Sequence, residues 1–100
     1  MTDTQSTARV ACFSVHAAVD PGAMPRVLEV FAKESLTPTR WTSVVEGDQL
    51  VMDIQMAGLE ADRTEYFARV LNRMPMVNTV LTSTKSVMPA EPINLAADAA

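Results

Sequence analysis

Five consecutive residues, Asp20-Pro21-Gly22-Ala23-Met24, have the types and spacing that ligand-binding chemistry requires. A Pro-Gly corner leading into a helix exposes backbone N–H groups with no partner inside the helix, and such groups attract anions. The N–H groups around Gly22 and Ala23 suit a carboxylate, with the helix dipole adding to the attraction. The Asp20 carboxylate suits an ammonium group, and Gly22 lets a ligand approach the backbone closely. The plainer reading assigns Asp20 to helix capping and Pro21-Gly22 to a turn. The residues alone allow both.

A second group, Cys12, Ser14 and His16, recurs at a spacing of two and so shares one face of a strand. A thiol and an imidazole on one face invite nucleophilic chemistry. Their spacing opposes it, because residues four apart on a strand stand about 13 Å apart along its axis. Cys12 reads instead as a small buried hydrophobe. One Cys and one His make no metal site without distant carboxylates, so neither a metal nor a cofactor is expected. His16, Arg40, Trp41 and Asp53 are the polar groups left for an enzyme, and they share no motif. No catalytic residue is assigned.

The elements that must position these residues follow from periodicity. Arg9 to His16 alternates, with Ala11, Phe13, Val15 and Ala17 on one face. Met24, Val27, Leu28 and Phe31 form a helical stripe after the Pro-Gly corner, with Glu29 and Lys33 outside it. Pro38 bars that helix from continuing. A strand-like run from Thr39 to Glu46 and a second with Leu50, Met52, Ile54 and Met56 inward flank Gly47-Asp48, a Gly-first hairpin signal. Gly58 ends the third strand. Asp62 and Glu65 fit a capping box for a second helix, whose apolar face is Tyr66, Phe67, Val70, Leu71 and Met74. Pro75 closes it, and Val77 to Thr84 reads as a fourth strand. Met24, Met52, Met56 and Met74 read as core filling, and Trp41 as core or a dimer contact. The order β-α-β-β-α-β predicts an α+β, ferredoxin-like fold: a four-stranded antiparallel sheet with two helices on one face.

Composition narrows the function classes. The chain has 100 residues and a net charge of −4, without long runs of one sign. It therefore lacks the electrostatic footprint of a nucleic-acid binder, and its aromatics are not interleaved with basic residues. Cys12 is the only cysteine, which excludes an internal disulfide. No signal peptide and no membrane span are read, so a cytoplasmic domain is expected. Residues 1–8 and 85–100 are expected to be a disordered N-terminus and a flexible tail around a domain at 9–84. A domain that small buries roughly 60% of its unfolded surface. With 48% hydrophobic residues, it carries more apolar surface than one small core needs, which points to an oligomer.

Val19 through Met24, followed by Val27-Leu28 and Phe31, resembles the first loop and helix of ACT domains, small regulatory modules attached to amino-acid-metabolising enzymes. Pro21-Gly22 fits the pattern, as do Met24 two positions later and Asp20 before the proline. In outline the chain is similar to the free-standing regulatory subunits of acetolactate synthase. Two departures stand out. Pro25 directly follows Met24, and Glu34-Ser35-Leu36-Thr37-Pro38 occupies a region where members often carry a glycine. The resemblance implies a non-catalytic module, at least dimeric, that binds an amino acid effector near Asp20, Pro21, Gly22, Ala23 and Met24. It also implies a thiamine-diphosphate-dependent catalytic subunit as partner. A small dimeric enzyme of oxygenase or isomerase type and a purely structural subunit are the alternatives.

Overall fold

The computed structural model describes residues 8–87. Its strands are β1 (Ala8–Ala18), β2 (Arg40–Glu46), β3 (Gln49–Ala57) and β4 (Val77–Val87), and its helices are α1 (Ala23–Ala32) and α2 (Ala61–Asn72). The strands form one antiparallel sheet in the order β2-β3-β1-β4, the expected β-α-β-β-α-β arrangement. Of the N-terminus expected to be disordered (1–8) and the tail expected to be flexible (85–100), residues 1–7 and 88–100 lie outside the described residues, while Ala8 begins β1. β4 runs through Lys85 and Ser86 to Val87, which pairs with Ala8, so the first residues expected in the tail belong to the sheet.

Alternation in the two central strands builds the core. Phe13 and Val15 of β1 and Met52, Ile54 and Met56 of β3 are all buried on the helix-covered face. α1 adds Ala23, Val27 and Phe31, and α2 adds Thr64, Phe67 and Leu71. The rings of Phe13, Phe31 and Phe67 stack in series at centroid distances of 5.4 and 5.2 Å, joining sheet and helices. The loop Gly47-Asp48 joins Glu46 to its cross-strand partner Gln49. Gly47 has φ 64°, the left-handed value that a Gly-first two-residue hairpin needs.

Several expectations are corrected. The α1 stripe is rotated: Met24 and Leu28 are 40% and 44% exposed, while Ala23 is buried in their place. The row at 23, 27 and 31 faces the sheet, and the 24 and 28 row looks sideways past its edge. Met24 is therefore not core filling. Tyr66 likewise stands 45% exposed, because α2 turns Phe67 and Leu71 inward. The capping box of α2 does not form. Glu60 holds the cap position, Asp62 already lies within the helix, and no side chain caps it. Asp62 Oδ1 accepts instead from the adjacent Arg63 N–H at 2.9 Å.

The missing glycine after α1 has a structural answer. Ser35 takes a left-handed φ of 60°. Ser35 N–H donates to the Ala32 carbonyl at 2.9 Å and Leu36 N–H to the Phe31 carbonyl at 3.0 Å. This is a Schellman termination, with Leu36 packed back on the core that contains Phe31. Ser35 thus occupies the position where glycine carries no steric cost. Ser35→Gly is expected to stabilise the domain by about 0.5–1 kcal/mol. Thermal unfolding would show this as a rise of roughly 2–8 °C in midpoint. A lower midpoint would show that the serine side chain contributes more than its backbone strain costs.

Candidate functional site

The loop from Asp20 to Met24 is closed by its own hydrogen bonds. Asp20 Oδ1 accepts from the Gly22 N–H at 3.0 Å, and the Asp20 carbonyl accepts from the Ala23 N–H at 2.9 Å. The expected Asp20 cap is thereby corrected. Gly22 holds the cap position of α1, and no side chain caps this helix. Asp20 lies two residues ahead of the cap, so its carboxylate meets the Gly22 N–H first and closes an Asx turn. The two N–H groups expected to receive a carboxylate are both occupied within the loop. Pro25 has no N–H, and the Arg26 N–H donates to the Gly22 carbonyl at 3.3 Å. Met24 N–H is the first-turn donor that the loop backbone does not take up.

A cation stands where these donors were expected. A Cβ built on Gly22 would lie 3.0 Å from Arg26 Nη1 and 3.8 Å from Asp20 Oδ1. The Arg26 guanidinium and the Asp20 carboxylate therefore both reach over Gly22, offering one group of each sign. Sequence reading missed Arg26. Its only signal is the helical spacing, four residues on from Gly22, that brings it back over the corner.

The five sequence-derived residues divide by position. Asp20, Pro21 and Met24 are exposed, Gly22 is half-buried, and Ala23 is fully buried in the core. Met24 continues into a groove of about 400 Å³ that it lines with Pro25, Leu28, Pro38 and Trp41. Trp41 pairs with Ile54, which places it on the helix side of the sheet at the open β2 edge. Its indole is half-buried, and Nε1 donates to Ser43 Oγ at 2.7 Å, so the ring presents an apolar wall. An apolar groove thus lies on the Met24–Leu28 flank of α1, with Met24 as its link to the corner.

The sheet face opposite the helices carries the second group. Cys12 is half-buried there and not in the core, which corrects its reading as a buried hydrophobe; among the described residues no second layer packs on that side. Ser14 Oγ lies 3.2 Å from His16 Nε2, and His16 Nδ1 lies 3.2 Å from Gln49 Oε1. This chain of contacts depends on the β1–β3 register, which a single strand does not reveal. Among the described residues, no three His, Cys, Asp or Glu side chains gather as a metal site. No described helix is long and apolar enough to cross a membrane.

Comparison with protein families matches residues 4–87 to the model of the ACT-like domain. The chain belongs to the ACT-like domain family. Solved structures agree with this ACT-like fold. The crystal structure of the ACT domain from the GTP pyrophosphokinase of Chlorobium tepidum aligns with a TM-score of 0.65 at 12% identity, covering 76% of this chain and 99% of that one. The solution structure of the same domain gives 0.64 at 12% identity over 74% and 84%. The solution structure of the C-terminal domain of the MgtC protein from Mycobacterium tuberculosis gives 0.63 at 15% identity over 91% and 100%. At such identities the likeness concerns the fold alone. A search of curated proteins found no match.

Proposed function

We propose that this ACT-like chain is a non-catalytic regulatory module that binds an apolar amino acid at the corner between β1 and α1. The observation that carries this reading is that Met24, the last residue of the corner, also lines the apolar groove with Pro25, Leu28, Pro38 and Trp41. Arg26 and the Met24 N–H suit a carboxylate, Asp20 suits an ammonium, and the groove suits a branched or aromatic side chain. Two of these chains pair in this reading through the open β2 edge and the outer flank of α1. Val45, on the helix side of β2 with Trp41, is 59% exposed, and Met24 and Leu28 extend the apolar surface onto the helix. The groove then lies beside the joint, where a ligand bound better by one assembly state shifts the equilibrium toward it. The regulated partner, by resemblance, is a metabolic enzyme such as an acetolactate synthase-type catalytic subunit.

Thermal unfolding of the full chain against each common amino acid tests the reading. A ligand at 100 times its dissociation constant adds about 2.7 kcal/mol, a shift of about 10 °C or more in a domain this small. Gly22→Val is expected to abolish that shift while the protein still unfolds cooperatively. Gly22 has φ −85°, so its backbone needs no glycine, and the added side chain meets mainly the flexible tip of Arg26. A shift that survives Gly22→Val places the ligand elsewhere. No shift with any amino acid leaves the structural-subunit reading ahead.

A further inference from the structure

The sheet face opposite the helices, which no described element covers, holds a hollow of about 450 Å³ that the corner site does not use. Its floor is made of the small residues Cys12 and Ser14 on β1 and Ser83 on β4, and its rim includes the longer Arg40 and Leu81. Long side chains at the central positions would have filled this face, and their absence makes the hollow. Its chemistry is divided. Asp53 pairs across β1–β3 with Ser14, so a carboxylate and a hydroxyl stand side by side. Ser14 Oγ lies 3.2 Å from His16 Nε2, and His16 Nδ1 lies 3.2 Å from Gln49 Oε1, so the Ser14 side chain is held in place beside Asp53. The Ser14 oxygen has two lone pairs and can accept from a group in the hollow. Ser14 and Asp53 together form an acceptor pair suited to a donor with several N–H bonds.

Arg40 supplies the opposite sign. It pairs with Gln55, two residues along β3 from Asp53, a diagonal separation of about 7–8 Å between backbones. Among the described residues no ion pair joins Arg40 to Asp53. We propose that this hollow is a second ligand site, which takes a small zwitterion bearing a primary ammonium, a carboxylate and a polar side chain. The ammonium donates to Asp53 and Ser14, and the carboxylate receives the Arg40 guanidinium, whose fork matches it. The hydroxyls of Thr42 and Ser83 line the remaining wall and favour a hydroxyl or amide side chain over an aliphatic one. The site is independent of the corner, which offers an apolar groove.

Amide NMR spectra of the labelled full chain, titrated with millimolar serine, threonine, asparagine and glutamine, test the proposal. The expected result is saturable shifts at Cys12, Ser14, Asp53, Gln55 and Ser83 with at least one of them. Asp53→Asn and Arg40→Gln should each weaken that ligand about tenfold or more, since each removes a charge-assisted contact. Both positions are exposed, so both variants should fold. Gly22→Val should leave the open-face titration unchanged, which separates this site from the corner. Three results overturn the proposal: no open-face shift with any of the four, unchanged affinity in both charge variants, or open-face shifts that follow protein concentration and ignore ligand. The last would assign the face to a second copy of the chain.

Discussion

Phe31→Ala is expected to abolish cooperative folding at moderate temperature. The ring is fully buried, and it is the middle member of the three-ring series. It meets Phe13 of β1 edge-on at 64° and Phe67 of α2 at 41°. Removing it separates sheet, first helix and second helix at a single point. Truncating a buried Phe costs about 3–5 kcal/mol, and the volume left cannot close while three elements hold its walls. A domain of this length has about 4–12 kcal/mol in total at typical values per residue. The loss therefore takes most of the stability at the lower end of that range. Urea unfolding followed by circular dichroism should show a broad or absent transition for Phe31→Ala. Phe31→Leu, which keeps most of the volume, should retain a sharp transition. A urea midpoint for Phe31→Ala close to that of the parent would mean that the rings contribute little beyond filling space.

Much of this architecture is written in short-range pattern. β1 and β3 alternate because one face meets the core and the other does not, and period two is the direct record of that difference. Gly47 marks its hairpin because the two-residue turn requires a left-handed residue. The features that could not be read all depend on how the elements meet. The stripe at Met24, Val27, Leu28 and Phe31 is wide enough for the helix to settle in more than one rotation, and only docking on the sheet chooses Ala23 over Met24. Asp20 has the composition of a cap, but its carboxylate is taken by Gly22 before the helix begins. Ser35 carries no glycine-like signal, although its backbone does what glycine would do. Arg26 joins the corner through a side-chain conformation. The chain from Ser14 through His16 to Gln49 exists because the register sets Gln49 beside the end of β1. In the candidate site, then, the loop was legible and its donors were not. The groove beside it needed Trp41, whose place at an open edge follows from strand order alone.

Val45→Lys is expected to convert the proposed dimer into a monomer and to remove the stabilisation by amino acid with it. β2 is a sheet edge, and among the described residues its ladder partner is β3. Val45 is 59% exposed and shares the helix-side face with Trp41. In a symmetric pair each substitution occurs twice on one surface, so two ammonium groups would meet across the same joint. Burying such unpaired charge costs several kcal/mol, which weakens the dimer by about a hundredfold or more. The monomer should be unaffected, since an exposed lysine on an edge strand is a common guard against pairing. Sedimentation equilibrium measures the first half of the expectation, with Leu81→Lys on the opposite face as the control that stays paired. Thermal unfolding across protein concentrations measures the second half. The parent midpoint should rise with concentration and rise further with ligand, because ligand and partner both bind the assembled state. Val45→Lys should flatten both dependences, although Val45 does not line the groove. A variant that stays monomeric yet keeps its full response to ligand would place the whole site within one chain. The module would then act by changing its own shape or rigidity, and pairing would play no part in its regulation.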